Sequence, residues 1–370
     1  MISRAFCFVV GFCLLFQGEI SAASLPLPLG GEGRGEGAIR GDGARADAID
    51  DYVTREMARR EIPGLALAVI EGTNVFKLKG YGVADREKGA AVTPETVFEI
   101  GSITKQFTAT LIMMLVEQGK LRLDDRLPRY FAGTPDDWSN ISIRHLLTHT
   151  SGIRNYTGLD GFEVSRHLSA EQFVRALGAH PLDFQPGEKF AYCNSGYNLL
   201  GFVIEKVTKR SYWDVLRERI FLPLQMNSSF SRDLPASSNR ASGYEKKEGR
   251  LVARDDNLTD VFAAGAIVST VADLTKWTMT LESDKLLKHS SLEQIWTPVK
   301  LNDGSHYPYG FGWRLDDYKG RKNIGHSGST SGFSASLQRF PEQHLTVIVL
   351  CNLGEQAVAS VIARGVANLR

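Results

Sequence analysis

The stretch Phe98-Glu99-Ile100-Gly101-Ser102-Ile103-Thr104-Lys105 opens a helical pattern that runs from Thr104 to Gln118 and stops at Gly119. Side chains three apart on a helix share a face, so Lys105 reaches back to the hydroxyl of Ser102. The helix start adds backbone N–H groups that have no intrahelical partner and a macrodipole that favours developing negative charge. Together these turn a weak hydroxyl into a nucleophile and hold the oxyanion it creates. Ser-x-x-Lys alone discriminates poorly: a chain of this length contains about one by chance, and a capping Ser beside a surface Lys accounts for it equally well.

Two other patterns raise its value. Tyr192-Cys193-Asn194 follows Pro186-Gly187 and precedes Ser195-Gly196-Tyr197. A phenol titrates near 10, so it accepts a proton only where a cation such as Lys105 stabilises the phenolate. A Tyr and an Asn satisfying a turn is the plainer account of that tripeptide by itself. His326-Ser327-Gly328, followed by Ser329, precedes an alternating strand pattern at Phe333, Ala335 and Leu337. A small residue and a Gly on a strand admit a substrate backbone, and the N–H of Ser329 can face that of Ser102 across an oxyanion. In isolation it reads as a Gly/Ser hairpin loop.

Each pattern occurs once, in the order Ser-x-x-Lys, Tyr-x-Asn, His-Ser-Gly, with 90 and 134 residues between their first positions. Together they resemble the serine acyl-transfer family of class C β-lactamases, D,D-carboxypeptidases, D-aminopeptidases and β-lactamase-like esterases, for which Ser-x-x-Lys is a known signature. His145-Leu146-Leu147-Thr148-His149-Thr150-Ser151-Gly152, Ala264-Gly265 through Ser269-Thr270, and Tyr309-Gly310-Phe311-Gly312-Trp313 look like further landmarks of that family. The resemblance covers about residues 47 to 370. It implies that Ser102 is acylated and that Lys105 and Tyr192 move its proton. It also implies that Asn194 partners the lysine or a substrate amide, and that His326, Ser327 and Gly328 line the opposing strand. One position departs from class C β-lactamases, which carry Lys where this chain has His326; some carboxypeptidases and esterases carry His there. His, with a reference pKa of about 6.5, supplies less positive charge for a substrate carboxylate.

Outward from the motifs, the two ends of the chain read as halves of one sheet. Ile49, Tyr52, Val53 and Met57 give a helix that ends before Pro63. Leu65 to Ile70 and Val75 to Tyr81 form a hairpin about Glu71-Gly72-Thr73-Asn74. Leu345 to Cys351 is a continuous apolar run of the buried-strand kind, and Val358, Ile362 and Val366 mark a closing helix. Residues 93 to 300 are mainly helical in pattern, with segments at Ile143 to Leu147, Ala170 to Leu177 and Tyr197 to Thr208. The expected fold is α/β, of the β-lactamase/transpeptidase-like kind. An antiparallel sheet lobe (about 47–92 and 301–370) is flanked by N- and C-terminal helices, with a helical lobe (about 93–300) inserted.

The chain has 370 residues, 43% hydrophobic and 23% charged, which excludes disorder and fibrous repeats, and its size suits two lobes with a cleft between them. With 43 basic and 42 acidic residues it lacks the footprint of a nucleic-acid binder. Residues 1 to 23 read as a signal peptide: Arg4, the apolar run Phe6 to Phe16, then Ser21-Ala22-Ala23. That run is too short for a membrane anchor, so the expected location is periplasmic or secreted. Residues 24 to 46, rich in Gly and Pro, read as a flexible linker. Removing the leader leaves Cys193 and Cys351, read as two buried free thiols. His145 and His149 have a spacing that can hold zinc, but the zincin motif needs Glu where Leu146 stands, so no metal and no cofactor is expected. No Gly-x-Ser-x-Gly elbow points to an α/β-hydrolase. The implied function is hydrolysis of a small-molecule or peptide amide, lactam or ester through an acyl-enzyme. The rivals are a penicillin-binding sensor that acylates with little turnover and a non-catalytic scaffold.

Overall fold

The computed structural model describes residues 36–159, 168–233, 239–254, 261–355 and 357–370. The leader expected over residues 1 to 23 lies outside the described residues. Ala44–Arg370 forms one compact unit.

Both ends of the chain build one seven-stranded antiparallel sheet. Its strands are β1 (Gly64–Glu71), β2 (Asn74–Asp85), β3 (Ala90–Ala91), β4 (Arg314–Tyr318), β5 (Arg321–Thr330), β6 (Phe333–Phe340) and β7 (Leu345–Cys351), in the order β4-β5-β6-β7-β1-β2-β3. The N-terminal and C-terminal halves meet where β1 pairs with β7, from Leu65 opposite Cys351 to Glu71 opposite Leu345.

The unbroken apolar run in β1 has a simple cause: successive side chains alternate between two faces, and both faces are covered. Leu65, Leu67 and Val69 pack with Ile49, Val53 and Met57 of α1 (Glu36–Arg60) and with Val358, Ile362 and Val366 of α2 (Val358–Ala367). Ala66, Ala68 and Ile70 join the core of the inserted lobe on the other face. The helix α1 begins at Glu36, so residues 36–46 are helical where a flexible linker is expected. Each of Gly37, Gly41 and Gly43 costs such a helix roughly 1 kcal/mol against Ala, which is why the sequence pattern does not announce it.

At the centre of the inserted lobe lies α3 (Thr104–Glu117), whose residues Thr104 to Leu115 are all buried. Against it packs α4 (Asn194–Thr208), which starts three residues before the pattern at Tyr197 indicates. The short helix Ile143–Leu147 carries a capping box from Ser142 and His145. The lobe also contains strands that periodicity does not reveal, some of two or three residues, too few to alternate, and two of five residues that are rich in charged side chains. Phe98–Glu99, Ile267–Ser269 and Phe230–Ser231 form a small sheet, and Gly243–Lys247 pairs with Arg250–Arg254.

Ile362, fully buried between α2 and the sheet, gives a direct check of this layering. Ile362→Ala should destabilise the compact unit by about 2–5 kcal/mol, seen as a lowered urea midpoint; an unchanged midpoint would contradict the layering.

Candidate functional site

Ser102 sits in a 3-10 turn, Gly101–Ile103, that runs straight into α3. The turn packs against β5 with no room for side chains between the two backbones. A Cβ on Gly328 would lie 1.9 Å from the Ile100 carbonyl oxygen and 3.1 Å from the Ser102 nitrogen. A Cβ on Gly101, whose φ is +50°, would lie 2.7 Å from the Ser329 nitrogen. The absence of a side chain at Gly328 therefore admits the Ser102 turn, where the sequence suggests room for a substrate backbone. The same approach brings the backbone around Ser102 close to that of Ser329.

Lys105 is fully buried on the first turn of α3. Its Nζ lies 3.0 Å from Ser102 Oγ, 2.8 Å from Asn194 Oδ1 and 2.8 Å from the Ala264 carbonyl oxygen. None of these neighbours is a carboxylate. Burial pushes the amine well below its ordinary pKa; Cys193 opposes this, and the Arg314 guanidinium adds a smaller push in the same direction as burial.

Tyr192 brings its ring to 4.8 Å from Lys105 Nζ. Part of the residue remains accessible, but the phenolic oxygen is enclosed and has no hydrogen-bond partner of standard geometry. Burial raises the phenol above its ordinary pKa; the adjacent Ser102 hydroxyl and Arg314 pull the other way. Burial thus disfavours the charged form of both groups, where the sequence suggests a phenolate held by an ammonium. No carboxylate faces the amine, and the Arg314 guanidinium only partly offsets the cost of burying a phenolate.

Asn194 starts α4 and receives Lys105. Its backbone N–H donates to Asn155 Oδ1 at 3.0 Å. His326 is not an open lining residue: it is 2% exposed, and both ring nitrogens are engaged. Nδ1 lies 2.6 Å from the Ser327 carbonyl oxygen and Nε2 lies 3.0 Å from Tyr309 Oη. Burial, with Lys105 and Arg314, lowers its pKa to about 3. Ser327 is half-buried and Ser329 exposed on the same strand.

Arg314 is a residue the sequence reading missed. It starts β4 opposite Gly325, one residue from His326. Its guanidinium carbon is 5.8 Å from the Tyr192 ring centroid, and no carboxylate pairs with it among the described residues. The signal available in sequence is only its place directly after Trp313.

His145 serves its helix cap and His149 lies elsewhere in the packing, and among the described residues no group of three potential ligands could hold a metal. Cys193 and Cys351 are buried and free. Among the described residues no helix is long and apolar enough to cross a membrane.

A family model described as Beta-lactamase matches residues 49–368. The chain belongs to the Beta-lactamase family. Similar proteins in this family of serine hydrolases include Penicillin-binding protein 4* of Bacillus subtilis (strain 168), 32% identical over 80% of this chain and 69% of that protein. Protein flp of Staphylococcus aureus (strain MW2) is 30% identical over 85% of this chain. The chain spans 64% of the length of that relative. Among solved structures, the octameric penicillin-binding protein homologue from Pyrococcus abyssi superposes with a TM-score of 0.77 at 32% identity, covering 88% of this chain and 77% of that one. The D-amino acid amidase from Ochrobactrum anthropi SV3, solved with L-phenylalanine amide, gives a TM-score of 0.75 at 27% identity over 88% and 96%. The expected β-lactamase/transpeptidase-like fold is therefore the observed one.

The buried imidazoles carry a consequence for stability. Unfolded, each titrates near 6.5, whereas in the fold His145 is lowered to about 4 and His326 to about 3, and His149 lies well below its usual value. Between pH 6.5 and about 3 the unfolded chain holds the extra protons, so stability should fall as pH falls through that window. Urea midpoints at pH 7, 6 and 5 should decline, and less steeply in His326→Gln. Equal slopes for the two proteins would contradict a neutral His326.

Proposed function

We propose that this protein is a serine hydrolase that opens amide, lactam or ester bonds through an acyl-enzyme at Ser102. The observation that carries the reading is the amine of Lys105, fully buried, without a carboxylate partner and 3.0 Å from Ser102 Oγ. A neutral amine donates its two hydrogens to Asn194 Oδ1 and the Ala264 carbonyl and turns its lone pair to the serine hydroxyl. Ser102 Oγ then attacks the substrate carbonyl as its proton passes to Lys105. The oxyanion forms between the N–H groups of Ser102 and Ser329. The phenol of Tyr192 gives its proton to the departing amine or alcohol and regains one from Lys105. Water attacks the ester by the reverse route, which frees Ser102.

Arg314 supplies the positive charge that His326, being neutral, does not. An unpaired guanidinium at the cleft favours substrates with a carboxylate, which it binds by charge-assisted hydrogen bonds. Amide turnover has support from the similarity to a protein named D-amino acid amidase.

Intact mass after mixing with a chromogenic cephalosporin, a D-Ala-D-Ala peptide and p-nitrophenyl acetate tests the proposal. A transient adduct on the tryptic peptide of Ser102 is expected with at least one probe, together with loss of turnover in Ser102→Ala. An adduct that persists for hours with every probe indicates the sensor reading, and turnover in Ser102→Ala sinks the proposal. Arg314→Ala should raise KM about ten-fold or more for the carboxylate-bearing probes and leave the neutral ester nearly unchanged.

A further inference from the structure

His149 is buried beneath the site, 1% exposed, and touches the chain on both sides of Tyr192. Its carbonyl oxygen accepts from the N–H of Ala191 at 2.9 Å, and its ring Nδ1 accepts from the N–H of Cys193 at 3.1 Å. Its ring also lies against the Tyr192 ring, with centroids 4.4 Å apart. One residue thus holds the backbone before and after the phenol and backs its face.

The hydrogen bonds fix the state of the imidazole. Accepting at Nδ1 requires a bare nitrogen there, so the hydrogen sits on Nε2 and is donated to Tyr309 Oη at 3.1 Å. At the other end, His326 Nδ1 faces the Ser327 carbonyl and must donate, which leaves Nε2 bare to receive the Tyr309 hydrogen. A single direction runs through the chain: Cys193 N–H to His149, His149 to Tyr309, Tyr309 to His326, His326 to Ser327. It joins the loop of Tyr192 to strand β5, which carries Ser329.

The backbone gives an independent sign. His149 has a φ of +58°, just beyond the short helix Ile143–Leu147, in a left-handed conformation where Gly is the usual residue. A non-Gly residue held there stores strain that the surroundings must repay, and such outliers cluster at functional sites.

We infer that His149 is a positioning residue that sets the phenol of Tyr192 beside Ser102, acting through Ala191 and Cys193 in a tautomer fixed by Tyr309. The inference rests on the role proposed above for Tyr192. In His149→Asn the amide oxygen replaces Nδ1 as acceptor for Cys193, whereas His149→Gln keeps only the donor toward Tyr309. Full-length protein is assayed for release of p-nitrophenolate from p-nitrophenyl acetate, with thermal midpoints as a check of folding. His149→Gln should lower kcat at least ten-fold with KM within about three-fold, and His149→Asn should recover at least three-fold of that loss. In a Tyr192→Phe background, the same two substitutions should change kcat by less than two-fold, because the group they position is gone. Equal kcat for the Asn and Gln variants, or full additivity with Tyr192→Phe, overturns the positioning role. If Tyr192→Phe itself keeps the full rate, the proton-transfer role of Tyr192 falls, and this inference falls with it. If Tyr192→Phe is impaired and His149→Gln is not, only this inference falls.

Discussion

A lysine amine placed out of reach of water and away from any carboxylate is the constraint around which the molecule is arranged. Burying an ammonium costs several kcal/mol without a paired charge, and the cheapest release is loss of the proton. Lys105 meets that condition because α3 is enclosed on all sides in its first three turns. Its neighbours are an amide oxygen, a carbonyl oxygen and one hydroxyl. The hydroxyl is the only one of the three with a hydrogen to give. A side chain that elsewhere would be a surface cation is held 3.0 Å from the Ser102 hydroxyl, where the proposed base must stand.

The sheet provides the opposing wall, and its contact with the serine turn is backbone on backbone. Gly101 and Gly328 permit an approach that any side chain at position 328 would block by collision with Ile100. Strand register then does the rest. With β4 and β5 paired from Arg314 opposite Gly325, a guanidinium comes to 5.8 Å from the Tyr192 ring while His326 turns into the packing. His326 is engaged at both ring nitrogens within the packing, and Arg314 is the guanidinium proposed to supply the charge.

The framework was legible because it depends on patterns that survive without coordinates. Both faces of β1 are covered, and its run Leu65 to Ile70 is apolar throughout; α3 is a buried helix, and Ser102 and Lys105 stand one turn apart at its start. Asn194 was legible as a partner of the lysine or of a substrate amide, and its Oδ1 lies 2.8 Å from Lys105 Nζ. What sequence could not show was state and orientation. The push of Lys105 and Tyr192 toward their neutral forms follows from burial, which a motif does not encode. The inward turn of His326 depends on Tyr309 waiting 3.0 Å away. Arg314 is one arginine among many until pairing with β5 carries it to the site. The helical stretch from Glu36 escaped because its glycines advertise a tether, while the packed turns that support it begin further along the chain.

The protonation state of Lys105 can be observed directly. Carbon-13 NMR of protein labelled at lysine Cε, with the Lys105 signal assigned by its loss in Lys105→Arg, gives a titration curve for this one amine. The account requires the chemical shift of a neutral amine at pH 8 to 9, where surface lysines are still charged. An ammonium shift that persists to pH 10.5 would contradict it, and with it the identification of Lys105 as the base that activates Ser102.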